Sequence, residues 1–181
     1  MRPGYLAIVP AEKIRVGETF EGEGVTDLIN AGFAYMAERK AADCLARSEQ
    51  CRTSLEQKLY QKGFEKSAVR LALDYLEKRH FLDDSRYASR WLRNHSIGKF
   101  HGRSRLLREL LGRGISKRTA DSAINDFFME NDEFELCGKA YNKGVSMKKS
   151  NEKLLKYLLD CGFSYKMAQN TIKNNSEIKN Y

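Results

Sequence analysis

Proline is almost absent. The chain holds only Pro3 and Pro10, so beyond position 10 no ring locks φ or removes a backbone donor, and the rest is free to be helical. Long apolar runs are also missing: no stretch approaches the ~20 residues a membrane-crossing helix needs. The opening MRPGYLAIVPAEK has an apolar stretch that Pro10 cuts short, which does not read as a signal peptide. The four cysteines, Cys44, Cys51, Cys137 and Cys161, form no CxxC pair, and with His80, His95 and His101 they supply no four-ligand zinc set, HxxxH or HExxH. Reduced thiols in a cytoplasmic protein account for them, and Cys44 and Cys51 read as buried thiols on one face of a helix. No Walker loop, GxGxxG or Ser/His/Asp order is present. These residues indicate no catalytic group, metal or cofactor. A hydrophobic content of 41% with 31% charged residues excludes a disordered chain.

What is there is a concentrated positive charge. Residues 85–118 carry ten basic residues (Arg86, Arg90, Arg93, Lys99, Arg103, Arg105, Arg108, Arg113, Lys117 and Arg118) against Glu109 alone. That local +9, in a chain whose total is +8, leaves −1 for all other residues. Apolar residues recur at helical spacing among them: Tyr87, Ala88, Trp91, Leu92 and His95, then Leu106, Leu107, Leu110 and Leu111. Arg86, Arg90 and Arg93 follow a separate i, i+4, i+7 stripe. A helix here buries one face and holds three guanidinium groups on the other, an arrangement suited to phosphate or carboxylate. The competing reading is a solvated basic face that serves only solubility.

The second signal is repetition. SLEQKLYQKGFEKSAVRLAL (54–73) aligns on its glycine with RLLRELLGRGISKRTADSAI (105–124) and KLLKYLLDCGFSYKMAQNTI (153–172). Leu55, Leu106 and Leu154 coincide, as do Leu59, Leu110 and Leu158, then Gly63, Gly114 and Gly162. The glycine marks a helix stop at positive φ, and the apolar residue after it can fold back onto the helix just left. Another helical stretch precedes each pair, near 33–50, 84–96 and 132–143. In the first of these, Thr26 is the expected N-cap, and Phe33, Met36, Ala37, Ala41, Cys44, Leu45 and Ser48 share the expected inward face. One three-helix unit buries little alone, so neighbours should stack end to end. The expectation is all-α: an elongated, curved array of three tandem three-helix repeats (33–80, 81–130 and 131–174), with an N-terminal arm (1–32) of unassigned role and a C-terminal tail (175–181).

Other residues admit two readings each. Asp83 and Asp84 fit a helix N-cap and first turn, or, with His80, a metal or acid/base site. The glycine-linked helices resemble a helix-turn-helix, but 117–130 is acidic after Lys117 and Arg118, which argues against groove reading. His95 and Trp91 fall on the inward stripe. His101, in the basic loop, is a candidate phosphate contact, and Phe100 beside it a candidate for stacking on a base.

Taken together, ADCLARSEQCRTSLEQKLYQKGF (42–64), FLDDSRYASRW (81–91), GRSRLLRELLGRGIS (102–116) and FSY (163–165) resemble the RecX family of RecA regulators over residues 40–173. The resemblance implies a non-enzymatic modulator that lies in the groove of the RecA filament on single-stranded DNA. It would block extension, ATP hydrolysis and strand exchange, and so modulate recombination, DNA repair and the SOS response. It implies a cytoplasmic monomer that contacts single-stranded DNA without regard to sequence. The ten basic residues are then the expected filament- or DNA-binding set. A stand-alone nucleic-acid-binding module and a small nuclease using Asp83 and Asp84 are the alternatives.

Overall fold

The computed structural model describes residues 2–96 and 98–178. Among these, regular structure is helical: two short 3-10 turns, then α1 (Glu23–Arg47), α2 (Arg52–Tyr60), α3 (Lys66–Lys78), α4 (Asp84–His95), α5 (Arg103–Leu111), α6 (Lys117–Glu130), α7 (Glu133–Ser146), α8 (Asn151–Asp160) and α9 (Tyr165–Ile178). They form three tandem three-helix repeats. The chain divides into two compact units, Met1–Asp84 with the first repeat and Ser85–Tyr181 with the other two. Positions 179–181 of the expected tail lie outside the described residues.

The equivalent glycines end α2, α5 and α8 in the same way. Gly63, Gly114 and Gly162 have φ of +83°, +81° and +93°. Each N–H closes a turn (Gly63 to Tyr60 O, Gly114 to Leu111 O, Gly162 to Leu159 O, all 2.9 Å), and the next residue's N–H reaches one carbonyl further back. These paired bonds satisfy carbonyls that the helix end would leave open, and only glycine takes this backbone cheaply. The residue that follows turns inward: Ile115 and Phe163 are buried.

In the first unit the core departs from the sequence expectation. Ala31, Ala34, Ala37 and Ala41 of α1 are wholly buried, with Ala68 and Ala72 of α3 also inside. Phe33 and Met36, expected inward, are 49% and 57% exposed. An alanine face lets two helices approach closely, and a Phe on that face would hold them apart. Helix α1 also begins at Glu23, so Thr26 lies inside it and is not the N-cap. Cys44 and Cys51 do not share a helix face: Cys44 is on α1, and Cys51 is the buried residue before α2.

Two buried carboxylates of α1 fasten the N-terminal residues to it. Asp27 accepts the N–H groups of Ala7, Ile8 and Val9, each at 2.9 Å. Glu38 takes the Arg2 guanidinium on both oxygens and the Tyr5 hydroxyl at 2.8 Å. Arg2 also lies over the Tyr75 ring, 4.1 Å from its centre. The bonds to the charged form hold Asp27 below the ordinary aspartate range.

A second device recurs at the same register in two repeats. Arg52 and Arg103 are the first residues of α2 and α5, 51 positions apart. The Arg52 N–H donates to Asp84 (2.8 Å), the first residue of α4, and its side chain reaches Asp74 at 2.7 Å. The Arg103 N–H donates to Glu133 (3.2 Å), the first residue of α7, and its side chain reaches Asn125 at 2.8 Å. In both places a carboxylate satisfies an open donor at the start of the helix.

Candidate polyanion interface on the second repeat

Helix α4 is amphipathic as its spacing predicts. Ala88 and Leu92 are buried, Tyr87, Trp91 and His95 are half-buried, and Arg86, Arg90 and Arg93 are exposed. The three guanidinium groups therefore stand on an outward stripe. Arg93 also lines a narrow cleft with Asp126 and Glu130 of α6, which lowers the positive potential on that side. Lys117 and Arg118 open α6 and are exposed, as are Lys99 in the α4–α5 loop and Arg108 on α5. Arg90, Arg93, Lys99, Arg108, Lys117 and Arg118 have no ion-pair partner among the described residues.

The other three cations are occupied within the fold. Arg103 holds Glu133 and Asn125 and lies over the Phe128 ring. Arg105 donates to Glu109 (3.1 Å) and to the Asp160 carbonyl (3.2 Å). Arg113 covers the Trp91 ring at 4.4 Å and donates to the Glu109 carbonyl at 2.8 Å. His95 also stacks on Trp91 at 4.2 Å, so the indole is already engaged by two side chains of the fold.

Two loop expectations are corrected. Phe100 packs against the core of the third repeat, beside Cys137, Leu158 and Phe163, and is not presented to a base. His101 is half-buried and turned toward His95 and Glu109, away from any phosphate. Burial and the nearby Arg105 push its pKa down to about 4, so it carries no charge to offer an anion. Its neighbour Gly102 explains the inward pull: the Gly102 N–H donates to Cys161 O (2.9 Å) and the Ser104 N–H to Gly162 O (3.3 Å). The start of α5 thus meets the end of α8, donors against acceptors and positive helix end against negative.

The acidic pair is also resolved. Burial raises the Asp84 carboxyl above its ordinary value, and its work is to accept the Arg52 N–H. Among the described residues, Asp83, Asp84 and His80 do not converge as a three-ligand cluster. A cluster that does form, His95, His101 and Glu109, carries no spacing signature, because a loop between α4 and α5 is what joins it.

These features define a tandem three-helix-repeat protein whose second repeat presents a cationic outer surface. Comparison with known proteins agrees. Residues 83–124 match the family model described as RecX, second three-helix domain. A Treponema pallidum (strain Nichols) protein called Regulatory protein RecX is 40% identical over 60% of this chain, and the chain spans 66% of that relative's length. The Regulatory protein RecX of Vibrio vulnificus (strain CMCP6) is 32% identical over 71% of this chain and 86% of its own. A crystal structure of regulatory protein RecX superposes with a TM-score of 0.77 at 20% identity, covering 90% of this chain and 82% of the other, and shows the shared fold. The chain belongs to the RecX family.

Proposed function

We propose that this chain regulates the RecA recombinase by binding its filament on single-stranded DNA, restraining filament extension, ATP hydrolysis and strand exchange. The observation that carries the reading is the outward stripe Arg86, Arg90 and Arg93, joined by Lys117 and Arg118, in the repeat that matches the family model. A nucleoprotein filament offers phosphates and protein carboxylates together, and guanidinium groups pair with both. Contacts of this kind position a protein without reading bases, so binding is indifferent to sequence. The regulator acts by occupancy, as a monomer, and needs no turnover of its own. The names of the relatives support a regulatory role.

The test is RecA ATPase activity on single-stranded DNA with the chain added at substoichiometric and equimolar amounts. Inhibition by the natural chain, reduced when Arg86, Arg90 and Arg93 are all changed to Ala, is expected. Should the triple variant lose bare-DNA binding yet inhibit RecA fully, the stripe is an accessory DNA contact and another surface grips the filament. Should the natural chain bind DNA and leave RecA untouched, it is a stand-alone nucleic-acid-binding module.

A further inference from the structure

At the corner between α4 and α5, three metal-binding side chains face one another. His95 is the last residue of α4, His101 lies in the loop, and Glu109 is on α5. His95 Nε2 stands 3.2 Å from His101 Nδ1 and 3.0 Å from Glu109 Oε2, and His101 Nδ1 is 3.9 Å from Glu109 Oε1. All three ligand atoms lie within 4.8 Å of one another. The side chains are 13%, 12% and 24% exposed, so the cluster is shielded but reachable.

We propose that His95, His101 and Glu109 bind a divalent transition-metal ion of the zinc class, through His95 Nε2, His101 Nδ1 and one Glu109 oxygen. Donor atoms around a tetrahedral zinc, at roughly 2.0–2.1 Å from it, stand about 3.3 Å apart. The His–His and His95–Glu109 separations are already close to that edge, so an ion enters with small side-chain shifts. Two imidazoles and one carboxylate are the donor set of three-ligand zinc sites that leave a fourth position to water. An all-oxygen ion such as Mg²⁺ is disfavoured by the two nitrogen donors.

The surroundings serve an ion in two ways. Arg105 holds Glu109 Oε1 at 3.1 Å, which fixes the carboxylate while Oε2 faces His95. Trp91 stacked on His95 fixes that ring. Such supporting contacts orient ligands before the metal arrives. Burial and the nearby cations Lys99, Arg113 and Arg105 disfavour the charged form of His95. The same cations repel a dication, a cost that the Glu109 charge and three direct bonds offset. In the metal-free cluster His95 Nε2 and His101 Nδ1 share one hydrogen bond; with an ion bound to those two nitrogens, each neutral ring carries its N–H on its other nitrogen.

The site has a structural consequence. His101 adjoins Gly102, whose N–H bonds the end of α8, and Phe100 packs into the third repeat. An ion here ties the end of α4, the loop and α5 into one corner, and so stiffens the junction of the second and third repeats.

The experiment uses the full chain, stripped with chelator and titrated with Zn²⁺ by calorimetry, with Co²⁺ as a spectroscopic probe. One equivalent is expected to bind and to raise the melting temperature. Cobalt should show four- or five-coordinate visible bands without thiolate charge transfer, since Cys44, Cys51, Cys137 and Cys161 are not ligands. His101→Ala and Glu109→Gln should each weaken binding at least about tenfold, while His80→Asn, which keeps a residue tolerant of positive φ, leaves it unchanged. Should a variant misfold, imidazole NMR of the natural chain decides: Zn²⁺ must shift the His95 and His101 rings and spare His80. Absence of saturable 1:1 binding, binding intact in His101→Ala, or ring shifts confined to His80 overturns the proposal and leaves the cluster an internal hydrogen-bond network.

Discussion

The junction of α5 and α8 can be tested by adding one methyl group. Gly98 and Gly162 lie in the same unit and both have positive φ, +69° and +93°. A Cβ built on Gly98 meets nothing within 4 Å, whereas one on Gly162 lies 2.4 Å from Arg105 N and 2.5 Å from Arg105 Cβ. Alanine at Gly98 therefore carries only the left-handed backbone cost, about 1 kcal/mol. At Gly162 the same cost applies, and the start of α5 must also move, adding about 1–3 kcal/mol as overpacking does. The displaced segment carries the Gly102 and Ser104 N–H bonds to the end of α8, so those weaken as well. With about 2–4 °C per kcal/mol for a chain of this size, Gly98→Ala should melt about 3 °C below the natural chain and Gly162→Ala roughly 6–12 °C below. Thermal unfolding followed by helicity, with Trp91 fluorescence reporting on this unit, measures both. Two variants that melt within about 2 °C of each other would refute the close approach of Arg105 to Gly162.

Two further outcomes follow from the carboxylates. Asp27 titrates below its ordinary value in the fold, so the stability it gives is present above the unfolded pKa near 3.9 and is lost as pH falls below that toward the folded value. Limited proteolysis should accordingly release residues 2–9 in acid, and Asp27→Ala should release them at neutral pH. Asp84, raised by burial, behaves oppositely: its charge is disfavoured in the fold, and stability is lost as pH rises from the unfolded pKa through the higher folded one. Asp84→Asn, which keeps an oxygen for the Arg52 N–H, should melt near the natural temperature, while Asp84→Ala should lose about 1 kcal/mol in urea titration.

The sequence made the repeats legible because each rests on local chemistry that leaves a mark: leucines at helical spacing and a glycine wherever the backbone must turn left-handed. It made the outward stripe of α4 legible for the same reason, since Arg86, Arg90 and Arg93 share one helix with the residues they face away from. It misled where packing is decided by the partner. The inward face of α1 is alanine because α3 approaches it closely, and no rule that sends the largest side chains inside finds that. It was silent where loops bring distant residues together. The pinning of Ala7, Ile8 and Val9 by Asp27, and the meeting of His95, His101 and Glu109, depend on chain paths that carry no periodicity. The single available hint for the latter was that all three lie within fifteen residues of an otherwise basic stretch.

The charge of the second repeat illustrates the difference between composition and surface. Counting letters gives ten cations, yet Arg103, Arg105 and Arg113 are spent on Glu133, Glu109 and Trp91. Moving any of them to a phosphate would abandon a half-buried partner, which costs more than a screened surface contact returns. The other seven, Arg86, Arg90, Arg93, Lys99, Arg108, Lys117 and Arg118, lie exposed without such a clamp onto Glu133, Glu109 or Trp91. For single strands the log–log salt slope is about 0.7 per phosphate neutralised, so full engagement of seven gives a slope of no more than about 5, against about 7 for ten. Fluorescence anisotropy with a labelled oligonucleotide over a salt series measures it. Arg103→Ala should lower stability and leave the slope unchanged, whereas Arg90→Ala should lower the slope by up to about 0.7 and leave stability unchanged. A slope near 7, or a fall in slope with Arg103→Ala, would mean that the internal clamps open on DNA and that the fold of the second repeat is remodelled when it binds.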